Sequence, residues 1–179
     1  MKISAVTVFC GSKPGNDTAY VNEAMELGIG LASKGISLVY GGGNKGIMGA
    51  VANATLDAGG KVIGIIPQLL LEWEAQHEGL TELIVTESMH SRKLLLYDKC
   101  DVAIILPGGM GTLDELFEML TWNNLRIHNK KVFILNVNGY YNALIQLFDT
   151  MDQQGFMYDQ WRERLIIFEN VSAIMDALS

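Results

Sequence analysis

The 179 residues are enough for one domain with a sizeable buried core, and we expect a single domain over residues 1–179. Hydrophobic residues make up 49% of the chain and charged residues 18%, a composition that excludes an intrinsically disordered protein. The net charge of −7, with no stripe of Lys or Arg, argues against a nucleic-acid partner.

The two cysteines, Cys10 and Cys100, both stand beside apolar segments. We expect two buried free thiols rather than a disulfide, which is typical of a reducing compartment. The first residues run directly into a predicted strand without a signal-peptide pattern, and no apolar run approaches the ~20 residues of a membrane span. The sequence therefore predicts a cytoplasmic protein with no membrane partner.

Strand-like and helix-like segments alternate along the chain. Apolar runs and helical spacing of apolar residues predict, in chain order, a strand at 3–10, a helix at 20–33, a strand at 37–40, a helix at 47–58, strands at 62–66 and 83–86, a helix at 89–99, a strand at 102–106, a helix at 113–125, a strand at 132–136, a helix at 140–154, a strand at 165–168 and a helix from 172. Such alternation predicts an α/β fold, a three-layer doubly wound parallel sheet with helices on both faces. Residues 68–81 are the least regular part, and we expect a surface excursion near a site there.

The loops that leave the predicted strands share a chemistry. They lie at residues 11–13, 41–46, 88–93 and 107–112, and they are rich in glycine, hydroxyl groups or basic groups. In doubly wound sheets, ligands bind beyond the carboxyl ends of the strands, where the strand order reverses. We therefore expect these loops to meet at one edge of the sheet and to form the functional site.

The block PGGMGTLDE at residues 107–115 carries the strongest indication of function. Its glycines let the backbone approach a ligand closely, and the free N–H groups at the start of the following helix bind anions. Glu115 is expected beside that anion site, where a carboxylate could act on a bound phosphate ester. The layout predicts a phosphorylated small molecule held by backbone groups.

The glycine loop at residues 41–46 matches G-x-G-x-x-G, but it follows the second predicted strand rather than the first. No acidic residue ends the next strand to bind a ribose, and Ile47 stands where a P-loop has Lys. A phosphate-cradling loop, a dinucleotide site and a tight strand-to-helix turn without a ligand remain open.

Glu115 and Arg92 each have a structural alternative. Thr112 and Glu115 have the spacing of a capping box, in which Glu bonds back to the N–H of the N-cap residue. Arg92 stands in the first turn of a predicted helix, where cations are disfavoured, so it either has a phosphate or carboxylate partner or is a solvated surface residue. The three histidines show no ligand-like spacing, so no metal site is expected.

Four blocks carry a resemblance to a known family: VFCGS at residues 8–12, VYGGG at 39–43 followed by GIMG at 46–49, MHSRK at 89–93, and the block at 107–115. In their order and spacing the chain resembles the LOG ("lonely guy") family of cytokinin riboside 5′-monophosphate phosphoribohydrolases, whose members are often mislabelled lysine decarboxylases. The resemblance covers nearly the full length of the chain.

The resemblance implies a Rossmann-like homodimer that uses no cofactor. It implies hydrolysis of the N-glycosidic bond of cytokinin riboside 5′-monophosphates, AMP or both, giving free base and ribose 5-phosphate. The positions that match the family's catalytic pair are Glu115 and Arg92. The positions implied to bind the nucleoside 5′-monophosphate are Gly11, Ser12, Gly42, Gly43, Gly46, Met89, His90, Lys93, Gly108, Gly109, Met110, Gly111 and Thr112.

Two other functions stay open on the sequence alone. One is a general purine nucleoside monophosphate nucleosidase, since the apolar surroundings of residues 68–71 could form a pocket for an isoprenoid tail or belong to the core. The other is a non-catalytic protein that binds a nucleotide or the molybdenum cofactor. Glu115 and Arg92 argue against the second, because a carrier has no need of that carboxylate.

Overall fold

The computed structural model describes residues 2–71, 76–158 and 160–178 and shows one seven-stranded sheet. Its strands are β1 (Ala5–Phe9), β2 (Ser37–Tyr40), β3 (Val62–Pro67), β4 (Glu82–Thr86), β5 (Val102–Ile105), β6 (Lys131–Leu135) and β7 (Leu165–Phe168). Its helices are α1 (Thr18–Ser33), α2 (Gly46–Asp57), α3 (Gln68–Leu71), α4 (Met89–Asp98), α5 (Met110–Asn124), α6 (Asn142–Gln153) and α7 (Val171–Ala177). Short 3₁₀ helices occupy Val137–Gly139 and Trp161–Glu163.

The strand order is β4-β3-β2-β1-β5-β6-β7, and every pairing is parallel. The chain moves outward from β1 to β4, returns to the other side of β1 with β5, and continues outward to β7. This order confirms the predicted doubly wound α/β sheet and puts the reversal of strand order between β1 and β5. The carboxyl ends of these two strands form the crevice where such folds bind ligands.

Each face of the sheet has its own apolar core, because the strand residues alternate between the two faces. On one face, α1, α2 and α7 cover a cluster that includes Leu27, Val51 and Ile174. On the other face, α4, α5 and α6 cover a cluster that includes Leu96, Met119 and Phe148. The strands are apolar on both sides, which explains the near-continuous apolar runs in the sequence.

The predicted elements agree with the observed ones within three residues at each end, and the one consequential difference is the start of α5. This helix begins at Met110, and its N-cap is Gly109, which offers no side-chain cap bond. Thr112 therefore lies inside the helix, and the predicted capping box between Thr112 and Glu115 is wrong. The carboxylate of Glu115 is not used to cap its own helix.

The short helix α3 lies in the segment predicted to be irregular, and residues 72–75 of that segment lie outside the described residues. Leu69 is 71% exposed, so α3 does not belong to the core. Among the helices described, none is both long enough and apolar enough to cross a membrane.

Candidate active site

A cavity of about 490 Å³ opens at the carboxyl ends of β1 and β5, as the topology predicts. It is lined by Val8, Phe9, Cys10, Gly11, Ser12, Lys13, Gly15, Tyr20, Gly41, Ile47, Met48, Arg92, Pro107, Gly108, Gly109, Met110, Gly111, Thr112, Glu115 and Tyr140. The structure thus brings together the candidate catalytic pair, Gly11 and Ser12, and the whole stretch from Gly108 to Thr112.

The loops that follow β1 and β5 touch each other at the base of the cavity. Gly11 N donates a hydrogen bond of 3.0 Å to the carbonyl oxygen of Pro107. A Cβ on Gly108 would lie 2.1 Å from Thr112 Oγ1 and 2.9 Å from Gly11 N, so this position has no room for a side chain. Glycine is required there because the two backbones approach so closely.

The N-terminus of α5 faces this cavity. Met110, Gly111 and Thr112 form its first turn and line the cavity, and Leu113 N is bonded to the carbonyl oxygen of Gly109. The first N–H groups of a helix have no partner within the helix, and the helix dipole adds positive potential there. The arrangement is an anion-binding site of the kind that holds phosphate groups.

Glu115 stands one turn further along α5, and its side chain lines the same cavity. Burial raises the pKa of its carboxyl from 4.5 to about 7, against the opposing charges of Arg92 and Lys93. The neighbouring carboxylates of Asp114 and Glu118 add to the increase. A carboxyl with a pKa near neutrality can gain or lose a proton at physiological pH, which suits an acid or base in catalysis.

Arg92 enters the cavity from α4 and is only 8% exposed, so the surface alternative is wrong. Its Nε donates to the carbonyl oxygen of Ile65 at 3.1 Å, and its Nη2 donates to that of Gly41 at 3.3 Å. These partners are the carbonyl groups of a residue within β3 and of the residue that follows β2, in place of the carboxylate or phosphate expected from the sequence. A guanidinium has five N–H donors, so these two bonds leave donors for a ligand in the cavity.

The glycine loop after β2 is placed differently from the other predicted elements of the site. Of the described residues, Gly42, Gly43 and Gly46 are not in the cavity lining. A Cβ on Gly46, which has φ +58°, would lie 2.5 Å from the backbone of Lys13, and the carbonyl oxygen of Gly42 accepts from His77 N at 3.0 Å. Gly42 and Gly46 are thus held by close backbone packing, while Gly41 of the same loop lines the cavity. A role of this loop in phosphate binding stays a prediction.

Met89, His90 and Lys93 also lie outside the lining formed by the described residues. Met89 and His90 are exposed in the first turn of α4, which Ser88 caps through the N–H of Ser91. The ammonium of Lys93 is bound by carboxylates of α5 instead of pointing into the cavity. The role of these three residues in substrate binding stays a prediction.

The cavity lining includes Tyr140, Tyr20 and Cys10, for which the sequence predicts no role in the site. The hydroxyl of Tyr140 donates to the carbonyl oxygen of Gly108 at 2.7 Å, and its ring packs edge-on against Tyr20 at 5.5 Å between centroids. Cys10 lies at the end of β1, where burial, with a contribution from Glu115, raises the pKa of its thiol. Tyr140 follows β6, and a search of the loops after every strand would have found it.

Two further expectations concern ligands. Of the described residues, none in α3 lines the cavity, so residues 68–71 form neither its wall nor the core. In the part of the chain that the structure describes, no three His, Cys, Asp or Glu side chains are grouped so that they could hold a metal ion.

Comparison with known proteins gives consistent matches. The family model described as possible lysine decarboxylase matches residues 48–178. The chain is 43% identical over 175 residues to the cytokinin riboside 5′-monophosphate phosphoribohydrolase of Rhodococcoides fascians, covering 97% of this chain and 88% of that protein. It is 45% identical over 156 residues to a cytokinin riboside 5′-monophosphate phosphoribohydrolase of Arabidopsis thaliana, covering 87% and 73% of the two chains.

The fold also matches solved structures. The molybdenum cofactor carrier protein of Chlamydomonas reinhardtii superimposes with a TM-score of 0.76 at 22% identity, covering 99% of this chain and 96% of that chain. The molybdenum cofactor binding protein of Rippkaea orientalis gives a TM-score of 0.72 at 21% identity, with the same coverage. At such identities the similarity shows a shared fold and carries no conclusion about the ligand.

Proposed function

Because this chain belongs to the LOG family, whose curated relatives are cytokinin riboside 5′-monophosphate phosphoribohydrolases, we propose that it hydrolyses the N-glycosidic bond of nucleoside 5′-monophosphates. The products are the free base and ribose 5-phosphate. The enzyme is an N-glycosyl hydrolase, and we assign the activity to a single Rossmann-like domain over residues 1–179. It needs no metal and no cofactor in this scheme.

The observation that carries the proposal is the position of Glu115. Its carboxyl shares one cavity with the N-terminus of α5, an anion site, and with the guanidinium of Arg92. A nucleoside 5′-monophosphate bound through its phosphate at that N-terminus would bring its ribose next to the carboxyl. The N-terminus of α5 would therefore bind the phosphate end of a ribose 5-phosphate unit, and the Glu115 carboxyl would lie at its ribose end.

We assign phosphate binding to the N–H groups from Gly109 to Thr112, with Gly11 and Ser12 on the facing loop. The bound phosphate does not react, and it serves to hold C1′ of the ribose in place. Binding energy from such a remote group can be used for positioning at the reacting bond. Gly108 supports this role because its backbone must pass so close to Gly11.

Cleavage of the C–N bond develops positive charge on the ribose ring, as in glycoside hydrolysis. Ionised Glu115 stabilises that charge or takes a proton from the attacking water. Arg92 lowers the pKa of Glu115 against the effect of burial and so favours the ionised form. With a pKa of about 7 for Glu115, the rate should rise with pH through neutrality.

We propose that the substrates include prenylated adenosine monophosphates, by similarity to the curated relatives. We also propose AMP, because the groups assigned above bind the phosphate and act at the ribose, which all nucleoside 5′-monophosphates share. The test is to incubate the purified protein with AMP, with isopentenyladenosine 5′-monophosphate and with adenosine, and to separate the products by chromatography. Free base and ribose 5-phosphate are expected from the monophosphates, and the ratio of their rates identifies the preferred base.

Adenosine is expected to react at least ~100-fold more slowly, since it lacks the anchoring phosphate. Equal turnover of adenosine and AMP would contradict phosphate anchoring. Tight binding of both monophosphates without release of base would instead indicate a carrier protein.

We also propose a cytoplasmic homodimer. Exposed apolar side chains on and after the helices of one face support self-association, namely Leu94, Phe117, Leu125, Ile127 and Leu147. Cys10 and Cys100 are buried free thiols, as expected in a reducing compartment. Titration of two thiols in the denatured, unreduced protein would support the location, and a disulfide between them would contradict it.

A further inference from the structure

A cluster of charged side chains joins α4 to α5 beside the cavity. Lys93 Nζ lies 2.7 Å from Asp114 Oδ2 and 2.9 Å from Glu118 Oε2. The hydroxyl of Tyr97, one turn along α4, donates to the same Glu118 oxygen at 2.6 Å. The side chains of Lys93 and Glu118 are 17% and 26% exposed, so this ion pair is better shielded from solvent than an ordinary surface pair, whereas Asp114 is 60% exposed.

The residues of these ion pairs are close in sequence to Arg92 and Glu115, the two proposed catalytic residues. Lys93 directly follows Arg92 on α4, and Asp114 directly precedes Glu115 on α5. Glu118 lies three residues after Glu115, on the adjacent turn of the same helix. The ion pairs therefore connect the backbone segment that carries Arg92 with the one that carries Glu115.

We propose that Lys93 is a positioning residue, which holds α4 against α5 through Asp114 and Glu118 and so keeps the Arg92 guanidinium and the Glu115 carboxyl at their working separation. The inference rests on the proposed hydrolase function. It assigns to Lys93 a task different from the substrate contact implied by the family resemblance.

The contacts of Lys93 support the assignment. An ammonium group has three donors, and two carboxylates already take up its charge at hydrogen-bond distance. Burial works against its charge, but the hydrogen bonds to Asp114 and Glu118 outweigh this and raise the pKa of Lys93. Within the described residues, the lining of the cavity includes Arg92 and Glu115 but not Lys93.

The same cluster balances charge around Glu115. Arg92 and Lys93 of α4 favour its ionised form, while Asp114 and Glu118 of α5 oppose it. Cys10 at the end of β1 and the hydroxyl of Tyr97 also interact with it, and burial raises the pKa of both groups. Among the described residues, Lys13, Tyr20 and Tyr140 line the same cavity. Loss of the Lys93 charge should therefore move the titration of Glu115 to higher pH.

Steady-state kinetics of the full chain test the proposal, with the monophosphate that the wild type cleaves. Lys93→Met should lower kcat by roughly 10- to 100-fold, because small displacements of catalytic groups have effects of this size, and change KM by less than about 3-fold. Lys93→Arg keeps the charge and should restore most of the activity. Lys99→Met, at the other end of α4, is the matched control and should leave kcat and KM unchanged.

A double-mutant cycle separates positioning from substrate contact. In a protein that already carries Asp114→Asn and Glu118→Gln, Lys93→Met should lower kcat by less than about 3-fold, because its partners are gone. The ¹³C carboxyl NMR signal of Glu115 is identified by its loss in Glu115→Gln. In Lys93→Met this signal should titrate above pH 7, whereas in Lys93→Arg it should titrate at the same pH as in the wild type. Lys93→Gln provides a second neutral variant if Lys93→Met does not fold.

The outcomes distinguish the two levels of inference. Absence of base release by the wild type contradicts the proposed function, and the NMR titration then still tests the link between Lys93 and Glu115. If the wild type is active and Lys93→Met mainly raises KM, Lys93 contacts the substrate. The same follows if Lys93→Met lowers kcat as much in the protein that lacks the Asp114 and Glu118 carboxylates as in the protein that has them. Either result would overturn the positioning role.

Discussion

Ionising Glu115 is unfavourable for the folded state, because the carboxyl is buried and its pKa rises from 4.5 to about 7. One pKa unit corresponds to about 1.4 kcal/mol, so the ionised carboxyl costs on the order of 3 kcal/mol of folding free energy. An acid that titrates near neutral pH is also well matched to proton transfer. Stability is thus given up at the position where the reaction needs a carboxylate whose ionisation is tuned to neutral pH.

Replacing Glu115 by Gln should therefore stabilise the protein in a pH-dependent way. Below the unfolded-state pKa of 4.5 the carboxyl is protonated in both states, and the variant and wild type should be equally stable. Between 4.5 and about 7 the unfolded chain ionises first and the wild type loses stability, so above pH 7 the variant should be more stable by on the order of 3 kcal/mol. Urea unfolding at pH 4, 6 and 8 measures this, and equal stabilities at pH 8 would argue against a carboxyl whose pKa is raised by burial.

Arg92 shows which part of a site cannot be predicted from local sequence. Its position in the first turn of a helix indicates that it needs a partner, and that much is correct. The partners are the carbonyl groups of Ile65 in β3 and of Gly41, directly after β2. The order of the strands in the sheet brings these carbonyl groups close to Arg92, and no local sequence pattern predicts that strand order.

At the scale of elements, the loop after β5 and the start of α5 are the parts that make the site. The glycine-rich loop and the following helix could be predicted, because glycine and a buried apolar run are local signals. The start of the helix cannot be predicted correctly, because Thr112 and Glu115 have the spacing of a capping box, while the N-cap residue, Gly109, has no side chain to indicate its role. Freed from capping, Glu115 can face the cavity.

The close contact of the loops after β1 and β5 gives a prediction for two glycines of the same block. Gly108→Ala should destabilise the protein by about 1–3 kcal/mol, because its Cβ would overlap Thr112 Oγ1 and approach Gly11 N. Gly111→Ala is the matched control: nothing lies within 4 Å of a Cβ there, and Ala in a helix should stabilise it by about 0.5–1 kcal/mol. Thermal unfolding compares them, and equal midpoints for the two variants would refute the tight packing at Gly108.

At the scale of the molecule, the sequence was sufficient for the architecture. Alternating apolar runs and amphipathic segments predict a doubly wound parallel sheet, and right-handed crossovers leave few other arrangements. The carboxyl edge of the sheet could then be named as the site. The sequence could not show that Gly41 lines the cavity while Gly46, in the same loop, packs against the backbone of Lys13, because that depends on contacts between loops.

Self-association is a property of the whole surface. Leu94 of α4 and Phe117 of α5 are exposed apolar residues on the same face of the sheet. Burying them against a second copy would be favourable, so sedimentation equilibrium should give twice the monomer mass of 19.7 kDa. Leu94→Asp should weaken the dimer, whereas Ile29→Asp on α1, at the other face, should not. A monomeric wild type at micromolar concentration would contradict the proposal.

The central claim is that the Glu115 carboxyl drives cleavage of the N-glycosidic bond, and turnover by Glu115→Gln tests it most directly. Wild type, Glu115→Gln and the exposed control Glu26→Gln are incubated with the preferred monophosphate, and ribose 5-phosphate is quantified. Loss of at least ~100-fold in Glu115→Gln, with retained binding and an unchanged control, is the expected result. Near-normal release of ribose 5-phosphate by Glu115→Gln would contradict the account.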